Sequence, residues 1–346
     1  MRAIKLTDVG NVQEVEAERP SMRHGDVLIE VAAAGVCQTD VMVRAAGTAL
    51  VPIGTTLGHE IAGRIVEIAD DVVGAAVGNN VVVYPVWACG ACVMCVSGRQ
   101  NACRASGGRL RVPPSPGMSR DGGMADLVSV PARWTVPADG VDPALAAVLP
   151  DAGLVPFHAI NDQLHLLRPG STAVVVGVGG LGQFAIAILR ALTSARIIAV
   201  DTSAQSLEAV AGRVDLTVAA SDPDAVAKIV ESTGGYGAEM VLDFVGVDAT
   251  LALAARVVTP YGAIRVPGLG GGTFEFETAK GSRQLPFGAS LARTYSGTLQ
   301  DLVELVALAR AGRLEVDLAR YPFADALRAF DDLARGAVRG RAVLIR

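Results

Sequence analysis

The chain has 346 residues, of which 51% are hydrophobic and 19% charged, so its length suits two domains and its composition excludes a disordered protein. The formal net charge is −5 and no basic run stands out, which argues against nucleic-acid binding and against an electrostatic membrane anchor. Neither a secretion signal nor a run of about 18 apolar residues is visible, so we expect a cytoplasmic protein.

The first 150 residues are rich in short strands. Runs of β-branched residues, bounded by glycine, asparagine, aspartate or proline, predict strands that begin near Val27, Ile61 and Val81. Few long helical periods occur in this part of the chain. We therefore expect a β-rich first domain.

From about Asp151 the pattern changes to strands that alternate with helices. Strands are predicted at 172–179, 196–201, 216–219, 240–246 and 263–268. Helices are predicted at 181–192, 206–213, 224–232 and 250–258. This alternation is typical of a parallel, doubly wound sheet. After it, Thr298 is a predicted N-cap for a helix that ends at Gly312, and a helix over 324–335 precedes a closing strand, RAVLI.

The segment 177–182 reads GVGGLG and fits the pattern G-x-G-x-x-G. It follows a predicted strand and opens a predicted helix, where backbone amides and the helix dipole can face a pyrophosphate. Asp201 ends the next strand, where a carboxylate binds the ribose hydroxyls and repels a 2′-phosphate, which favours NAD over NADP. The alternative is a structural turn, with Asp201 as a helix cap. The predicted cofactor-binding residues here are Gly177, Gly179, Gly180, Leu181, Gly182 and Asp201.

Four of the five cysteines lie within 15 residues, in the spacing C-x2-C-x2-C-x7-C. Four thiolates can enclose one tetrahedral ion and leave no position open, which predicts a structural zinc site. An iron–sulfur cluster also uses four thiolates, but the spacing differs from that of ferredoxins. The remaining alternative is four unligated thiols. The predicted ligands are Cys89, Cys92, Cys95 and Cys103.

The fifth cysteine, Cys37, lies in GVCQTD, and His59 lies in LGHE with Glu60 beside it. A thiolate, an imidazole and a carboxylate can hold a catalytic zinc with one open position. Spacing alone does not choose the carboxylate among Asp40, Glu60 and Asp151. Considered alone, Cys37 is better explained as a small buried hydrophobic residue and His59 as a histidine of the core than as metal ligands. The predicted cofactor loop and the cysteine cluster in the same chain make the metal-ligand interpretation the favoured one.

These motifs, together with DFVG at 243–246, resemble the zinc-dependent medium-chain dehydrogenase/reductase superfamily, the alcohol dehydrogenase family. The resemblance covers nearly the whole chain and is greatest to bacterial NAD-dependent secondary alcohol dehydrogenases. It implies an α/β chain with a GroES-like β-rich catalytic domain and a Rossmann nucleotide-binding domain. The implied bounds are 1–151 for the first part of the catalytic domain, 152–287 for the NAD-binding domain and 288–346 for the segment that returns to the catalytic domain.

The resemblance also implies roles for particular residues. Cys37, His59 and Asp151 match the ligands of a catalytic zinc, and Asp40 matches the carboxylate that orients the histidine. Glu60 matches a transient ligand and Thr39 a hydroxyl that passes on the substrate proton. Arg341 matches a basic residue near the cofactor pyrophosphate. Three positions depart from close relatives: Gln38, Val155 and Ser296.

The sequence therefore predicts an NAD-dependent alcohol dehydrogenase with two zinc ions per chain, one catalytic and one structural. Its substrates are expected to be apolar secondary alcohols and ketones, and relatives imply a homodimer or homotetramer. The first alternative is a primary alcohol or polyol dehydrogenase on the same scaffold. The alternative from another class is a non-catalytic NAD-binding protein that keeps zinc for stability.

Overall fold

The computed structural model describes residues 1–278 and 285–346. The chain folds into two compact units. Unit 1 consists of Met1–Leu154, Ser296–Gly312 and Asp317–Arg346. Unit 2 consists of Val155–Tyr295 and Arg313–Val316. The domain boundaries inferred from the sequence, after residues 151 and 287, stay predictions.

The strands of the described residues are numbered in chain order. In unit 1 they are β1 (Arg2–Asp8), β2 (Asn11–Glu16), β3 (Asp26–Val36), β4 (Ile61–Ile68), β5 (Asn80–Val83), β6 (Leu127–Pro131) and β7 (Thr135–Pro137). Unit 2 contains β8 (Thr172–Val176), β9 (Arg196–Asp201), β10 (Leu216–Ala219), β11 (Ala238–Asp243), β12 (Val258–Val266) and β13 (Ser290–Arg293). The last two strands, β14 (Leu318–Pro322) and β15 (Arg341–Ile345), again belong to unit 1.

The helices are numbered in the same way. They are α1 (Gln38–Ala46), α2 (Val93–Val96), α3 (Pro143–Val148), α4 (Leu154–Asn161), α5 (Gly180–Leu192), α6 (Ala204–Val210), α7 (Ala225–Ser232), α8 (Asp248–Val257), α9 (Leu299–Arg310) and α10 (Ala326–Ala334). A π-helical turn, Leu149–Gly153, joins α3 to α4. The predicted N-cap of α9 is confirmed, because the Thr298 side chain accepts a hydrogen bond from the Asp301 amide.

Unit 1 is built on a mixed sheet in the order β14-β15-β3-β4-β5-β7, with β6 also paired to β3. Most neighbours are antiparallel, and β14 with β15 is a parallel pair. The residues of β3 are buried along nearly its whole length, because strands flank it and α3 and α10 pack near it. The predicted β-rich character of this part of the chain is confirmed, although the β1–β2 hairpin gave no signal in the sequence.

Unit 2 is built on a sheet in the order β10-β9-β8-β11-β12-β13, in which every neighbouring pair is parallel. The predicted doubly wound parallel sheet is thus confirmed. The strand predicted at 240–246 is shorter than expected and ends at Asp243, because the Asp243 carboxylate binds the amides of the next residues and turns the chain. The edge strand β13 was not predicted.

One helical stretch of the described residues, Pro143–Asn161, is long and apolar enough to cross a membrane. In the structure, 78% of its most apolar window is buried inside the protein. Packing in a protein core therefore accounts for its apolar character.

Candidate functional site

Cys37 lies where β3 ends and α1 begins. It is the N-cap of α1, with an extended backbone at φ −104° and ψ 158°. Its amide donates a hydrogen bond to Asp40 Oδ2 at 2.8 Å, so a side chain from the first turn of the helix fixes the cysteine backbone. Both Cys37 and Asp40 are buried. The segment GVCQTD therefore forms a strand-to-helix turn that holds a thiol and a carboxylate together.

His59 and Glu60 immediately precede β4, and both are buried. The Gly35 amide of β3 donates to the Glu60 carbonyl oxygen at 3.0 Å, so the two segments run side by side. A Cβ atom at Gly35 would overlap the Glu60 carboxylate. A glycine inside a strand often marks such a close approach, and here it makes room for an acidic side chain.

Asp151 lies in the π-helical turn Leu149–Gly153. Such wide turns inside helical segments occur frequently at functional sites. The turn brings Asp151 Oδ2 to 3.3 Å from Cys37 Sγ and to 3.7 Å from His59 Nε2. One carboxylate oxygen therefore faces both of the other predicted ligands.

Cys37, His59, Glu60 and Asp151 each offer a ligand atom, and these atoms all lie within 4.8 Å of one another. Around a tetrahedral zinc, with bonds of about 2.0–2.3 Å, neighbouring ligand atoms are about 3.3–3.5 Å apart. The two distances to Asp151 Oδ2 are close to that spacing. The set of a thiolate, an imidazole and carboxylates suits zinc, so these residues fit the ion.

Asp40 lies behind His59 rather than among the four converging groups. Its Oδ1 atom is 3.6 Å from His59 Nδ1, on the opposite side of the ring from the Nε2 that faces Asp151. Carboxylates in this position orient a histidine ligand and raise its basicity. The three carboxylates that spacing could not separate thus occupy different places, with Asp40 outside the cluster.

Opposite charges offset the burial of these groups. Burial alone would lower the pKa of His59, but the Asp40 carboxylate and the hydrogen bond with Asp151 raise it well above its usual value. For Asp151, burial alone would raise the pKa, but His59 and Cys37 outweigh burial and hold it below the usual range. The Asp40 and Asp151 carboxylates therefore favour positive charge on the His59 ring that lies between them.

Arg341, at the start of β15, is buried beside the cluster. Its guanidinium forms an ion pair with Glu60 and lies 3.2 Å from Asp151 Oδ2. The structure thus places Arg341 against two of the acidic groups. Its predicted contact with a cofactor pyrophosphate stays a prediction.

Thr39 lies two residues beyond Cys37, on α1. Its Oγ1 atom is 3.6 Å from Cys37 Sγ, and the residue is half-buried. The predicted proton path through this hydroxyl therefore starts next to the ligand cluster. Of the residues that depart from relatives, Gln38 is exposed, whereas Val155 and Ser296 are buried.

The other four cysteines form a compact cluster around α2. Three Sγ–Sγ distances, Cys89–Cys95, Cys92–Cys95 and Cys92–Cys103, are 3.9, 3.6 and 3.8 Å. Four sulfurs around one zinc at about 2.3 Å are about 3.8 Å apart. All four cysteines are free of disulfide bonds, so their geometry fits a closed zinc site.

Cys103 has the strongest support as a thiolate. Burial alone would raise the pKa of its thiol, but hydrogen bonds from the Cys89 amide and from Ser106 lower that pKa to about 5. The Ser106 hydroxyl lies 3.1 Å from Cys103 Sγ. Sequence reasoning missed Ser106, because a serine three residues after a cysteine carries no distinctive signal.

The predicted nucleotide loop lies in unit 2, between β8 and α5. Gly177 adopts φ +83°, which favours glycine, and a Cβ atom at Gly182 would overlap the Gly177 carbonyl oxygen. A Cβ atom at Gly179 would have no neighbour within 4 Å, so the backbone is open there to an approaching phosphate. The loop therefore fits a dinucleotide pyrophosphate.

Asp201 lies at the end of β9, next to this loop. Its Oδ2 atom accepts a hydrogen bond from the Val178 amide, and its Oδ1 atom accepts one from the Ser203 amide, each at 2.8 Å. The carboxylate is thus fixed where the ribose of a dinucleotide lies in such folds. The residue that caps α6 is Ser203, so the alternative of Asp201 as the cap is wrong.

We expect Asp40→Asn to weaken binding of the catalytic zinc by about 10–100-fold, because the amide no longer carries the charge that supports His59. Titration with a competing zinc chelator measures this affinity, and the cysteine-cluster zinc should stay bound. Asp331→Asn is the control. The Asp331 carboxylate forms an ion pair with Arg44, which lies on α1 like Asp40, but the Asp331 side chain is 56% exposed. An unchanged zinc affinity in Asp40→Asn would contradict the orienting role.

Comparison with known proteins supports the family that the sequence resembles. Residues 23–140 match the family model of the alcohol dehydrogenase GroES-like domain, and residues 180–310 match that of the zinc-binding dehydrogenases. An NAD-dependent alcohol dehydrogenase from Sulfurisphaera tokodaii is 32% identical over an alignment of 360 positions that covers 100% of each chain. A D-arabinose 1-dehydrogenase (NADP(+)) from Saccharolobus solfataricus is 31% identical and covers 98% of this chain and 95% of its own.

Among solved structures, an alcohol dehydrogenase from the hyperthermophilic archaeon Aeropyrum pernix has a TM-score of 0.87 and 30% identity, with full coverage of both chains. The chain therefore belongs to the zinc-dependent alcohol dehydrogenase family. It is an enzyme, and the predicted combination of a GroES-like and a Rossmann fold is confirmed.

Proposed function

We propose that this alcohol dehydrogenase interconverts apolar secondary alcohols and ketones with NAD as the hydride acceptor. The observation that carries the proposal is the convergence of Cys37, His59 and Asp151 within 4.8 Å in unit 1. Unit 2 supplies a dinucleotide loop with an acidic residue, Asp201, at the end of the next strand. The predicted cofactors, NAD and zinc, are confirmed.

Cys37, His59 and Asp151 are the proposed ligands of the catalytic zinc, and Cys89, Cys92, Cys95 and Cys103 those of the structural zinc. Zinc held by Cys37, His59 and Asp151 would supply a Lewis acid for the alcohol oxygen, and bound NAD would supply the hydride acceptor. Asp40 orients His59. Thr39 takes the hydroxyl proton and passes it outward. Gly177, Gly179 and Gly182 admit the pyrophosphate, and Asp201 binds the ribose hydroxyls.

The charged groups at the ligand cluster favour the binding of uncharged substrates. Among the described residues, Arg341 is the basic side chain that lies against the ligand cluster, and its guanidinium is paired with Glu60 and Asp151. It is therefore committed to other groups rather than free to bind the carboxylate of an acidic substrate. An alcohol with apolar substituents needs no such cation, because burial of its apolar surface provides the binding energy.

Kinetics with a small panel test the proposal: 2-butanol, 1-butanol, sorbitol and D-arabinose, each with NAD and with NADP. We expect kcat/KM for 2-butanol to exceed that for 1-butanol by about tenfold or more, with NAD preferred. Turnover confined to sorbitol or D-arabinose would contradict the substrate class. Folded, zinc-loaded protein that binds NAD but turns over none of a broader alcohol panel would support the non-catalytic alternative.

A homodimer or homotetramer is part of the same proposal and rests on the resemblance to relatives, and the cytoplasmic location expected from the sequence is part of it too. Light scattering on the purified protein measures the oligomer. A monomer at micromolar concentration would contradict this part and leave the catalytic proposal intact.

A further inference from the structure

The motif DFVG at 243–246 has no role in the proposed chemistry, yet it contains the buried carboxylate of Asp243. This residue ends β11 and is 0% exposed. Its Oδ1 atom accepts hydrogen bonds from the amides of Val245 and Gly246, each at 2.9 Å. Its Oδ2 atom accepts one from the Thr250 hydroxyl at 2.8 Å. No lysine or arginine pairs with it in the part of the chain that the structure describes.

The partners of Asp243 show what it does locally. Two amides and one hydroxyl, all within the next seven residues, bind a single carboxylate, so Asp243 fixes the backbone of the loop between β11 and α8. Hydrogen bonds in which the acceptor is charged are shorter and stronger than neutral ones. Asp243 therefore holds this loop in one shape.

The same loop is tied to a second glycine-rich segment, which follows β12. The Gly268 amide donates to the Asp243 carbonyl oxygen at 3.0 Å, and the Gly270 amide donates to the Val245 carbonyl oxygen at 2.9 Å. Gly246 has φ +73°, and a Cβ atom there would lie 2.6 Å from Gly268 O. The two segments thus pack backbone to backbone.

On its other side the loop contacts the nucleotide loop. The Phe244 amide donates to the Val176 carbonyl oxygen at 2.9 Å. A Cβ atom at Gly177 would lie 2.7 Å from a methyl group of Val245. Val245 therefore packs directly against the first glycine of the dinucleotide pattern, at the carboxyl ends of the adjacent strands β8 and β11.

We propose that Asp243 is a positioning residue for NAD: it fixes Val245 against Gly177 and so keeps the dinucleotide loop in the shape that receives the pyrophosphate. The carboxyl ends of parallel strands are where such folds bind their ligands, and Asp243 acts there through the backbone without contacting the cofactor. The inference rests on the use of NAD stated under Proposed function.

Asp243→Asn tests the proposal with little change in volume. It removes the charge, and its amide nitrogen replaces one of the two accepting oxygens. We expect the Kd for NADH, measured by fluorescence titration without alcohol, to rise about tenfold, which equals about 1.4 kcal/mol. The KM for NAD should rise in parallel, whereas kcat at saturating NAD should stay within about twofold of the wild type.

Glu239→Gln is the matched control. Glu239 lies on the same strand, and its carboxylate also accepts a backbone hydrogen bond, from the Thr172 amide at 2.7 Å, but at the amino end of the sheet. Melting temperatures separate general loss of stability from a specific effect. An effect of Asp243→Asn on Kd no larger than that of Glu239→Gln would overturn the proposal.

Val245→Ala provides a second test that leaves every hydrogen bond of Asp243 in place. It removes the methyl group that lies against Gly177, and we expect the Kd for NADH to rise here too. Unchanged Kd values in both folded variants would refute the inference. Wild-type protein that fails to bind NADH would instead refute the use of NAD itself, so the two failures are distinguishable.

Discussion

Replacing Asp151 by alanine is expected to lower kcat/KM for alcohol oxidation by about a thousandfold or more while the protein stays folded. A metal ion contributes several kcal/mol to stabilising developing charge, and about 4 kcal/mol corresponds to a thousandfold change in rate. Without Asp151 Oδ2, the cluster loses the atom that faces both Cys37 Sγ and His59 Nε2. Metal analysis after dialysis should find about one zinc per chain instead of two.

Asp142→Ala is the control for this substitution. Asp142 caps α3, nine positions earlier in the same helical segment, and its loss costs about 1 kcal/mol of stability without touching the ligand cluster. Its turnover and zinc content should match those of the wild type. Two zinc ions retained in Asp151→Ala would show that Glu60 takes the third position. Turnover unchanged in metal-depleted enzyme would refute the zinc mechanism altogether.

Replacing Cys103 by alanine is expected to release the structural zinc and to lower the melting temperature by about 6 °C or more. Structural zinc contributes directly to folding free energy, and a loss of about 3 kcal/mol corresponds to about 6–12 °C in a folding unit of about 200 residues, which is the size of unit 1. Cys103 is 1% exposed and its Sγ lies 3.8 Å from Cys92 Sγ, so its replacement removes one of the four sulfurs of the cluster. Differential scanning calorimetry and metal analysis measure both effects.

The two zinc sites should respond independently. Cys103→Ala should keep the catalytic zinc and, below its melting temperature, most of its turnover, because the catalytic ligands lie on other segments of unit 1. Ser97→Ala is the matched control: Ser97 is an exposed residue between Cys95 and Cys103, and its hydroxyl donates a hydrogen bond to Met94 O. A zinc content of two in Cys103→Ala would contradict the closed four-cysteine site.

Local patterns were predictable from the sequence because local structure is enough to form them. Four cysteines within 15 residues need only a short loop to converge. The nucleotide loop needs only a strand, a glycine turn and a helix in succession. The parallel sheet of unit 2 was predictable from the alternation of strands and helices for the same reason, since each of these elements has its own hydrophobic period.

Groups that converge from distant segments were harder to predict. His59 and Asp151 are 92 positions apart, and spacing left Asp40, Glu60 and Asp151 equivalent as ligands. The family resemblance implied a different role for each, and the fold gives the physical separation, because it places Asp40 behind the histidine ring and Asp151 on the π-helical turn. Helix α1 gave no start signal, since its N-cap is a cysteine rather than one of the usual capping residues.

Gly35 sets a condition for any attempt to transfer this metal site to another scaffold. The Glu60 carboxylate occupies the volume that a side chain at position 35 would need. A design that copies only Cys37, His59, Glu60 and Asp151 onto a strand with alanine at that position would force the acidic side chain out of place. The minimal transferable site therefore includes a residue that contributes no ligand atom, only empty space two positions before the cysteine.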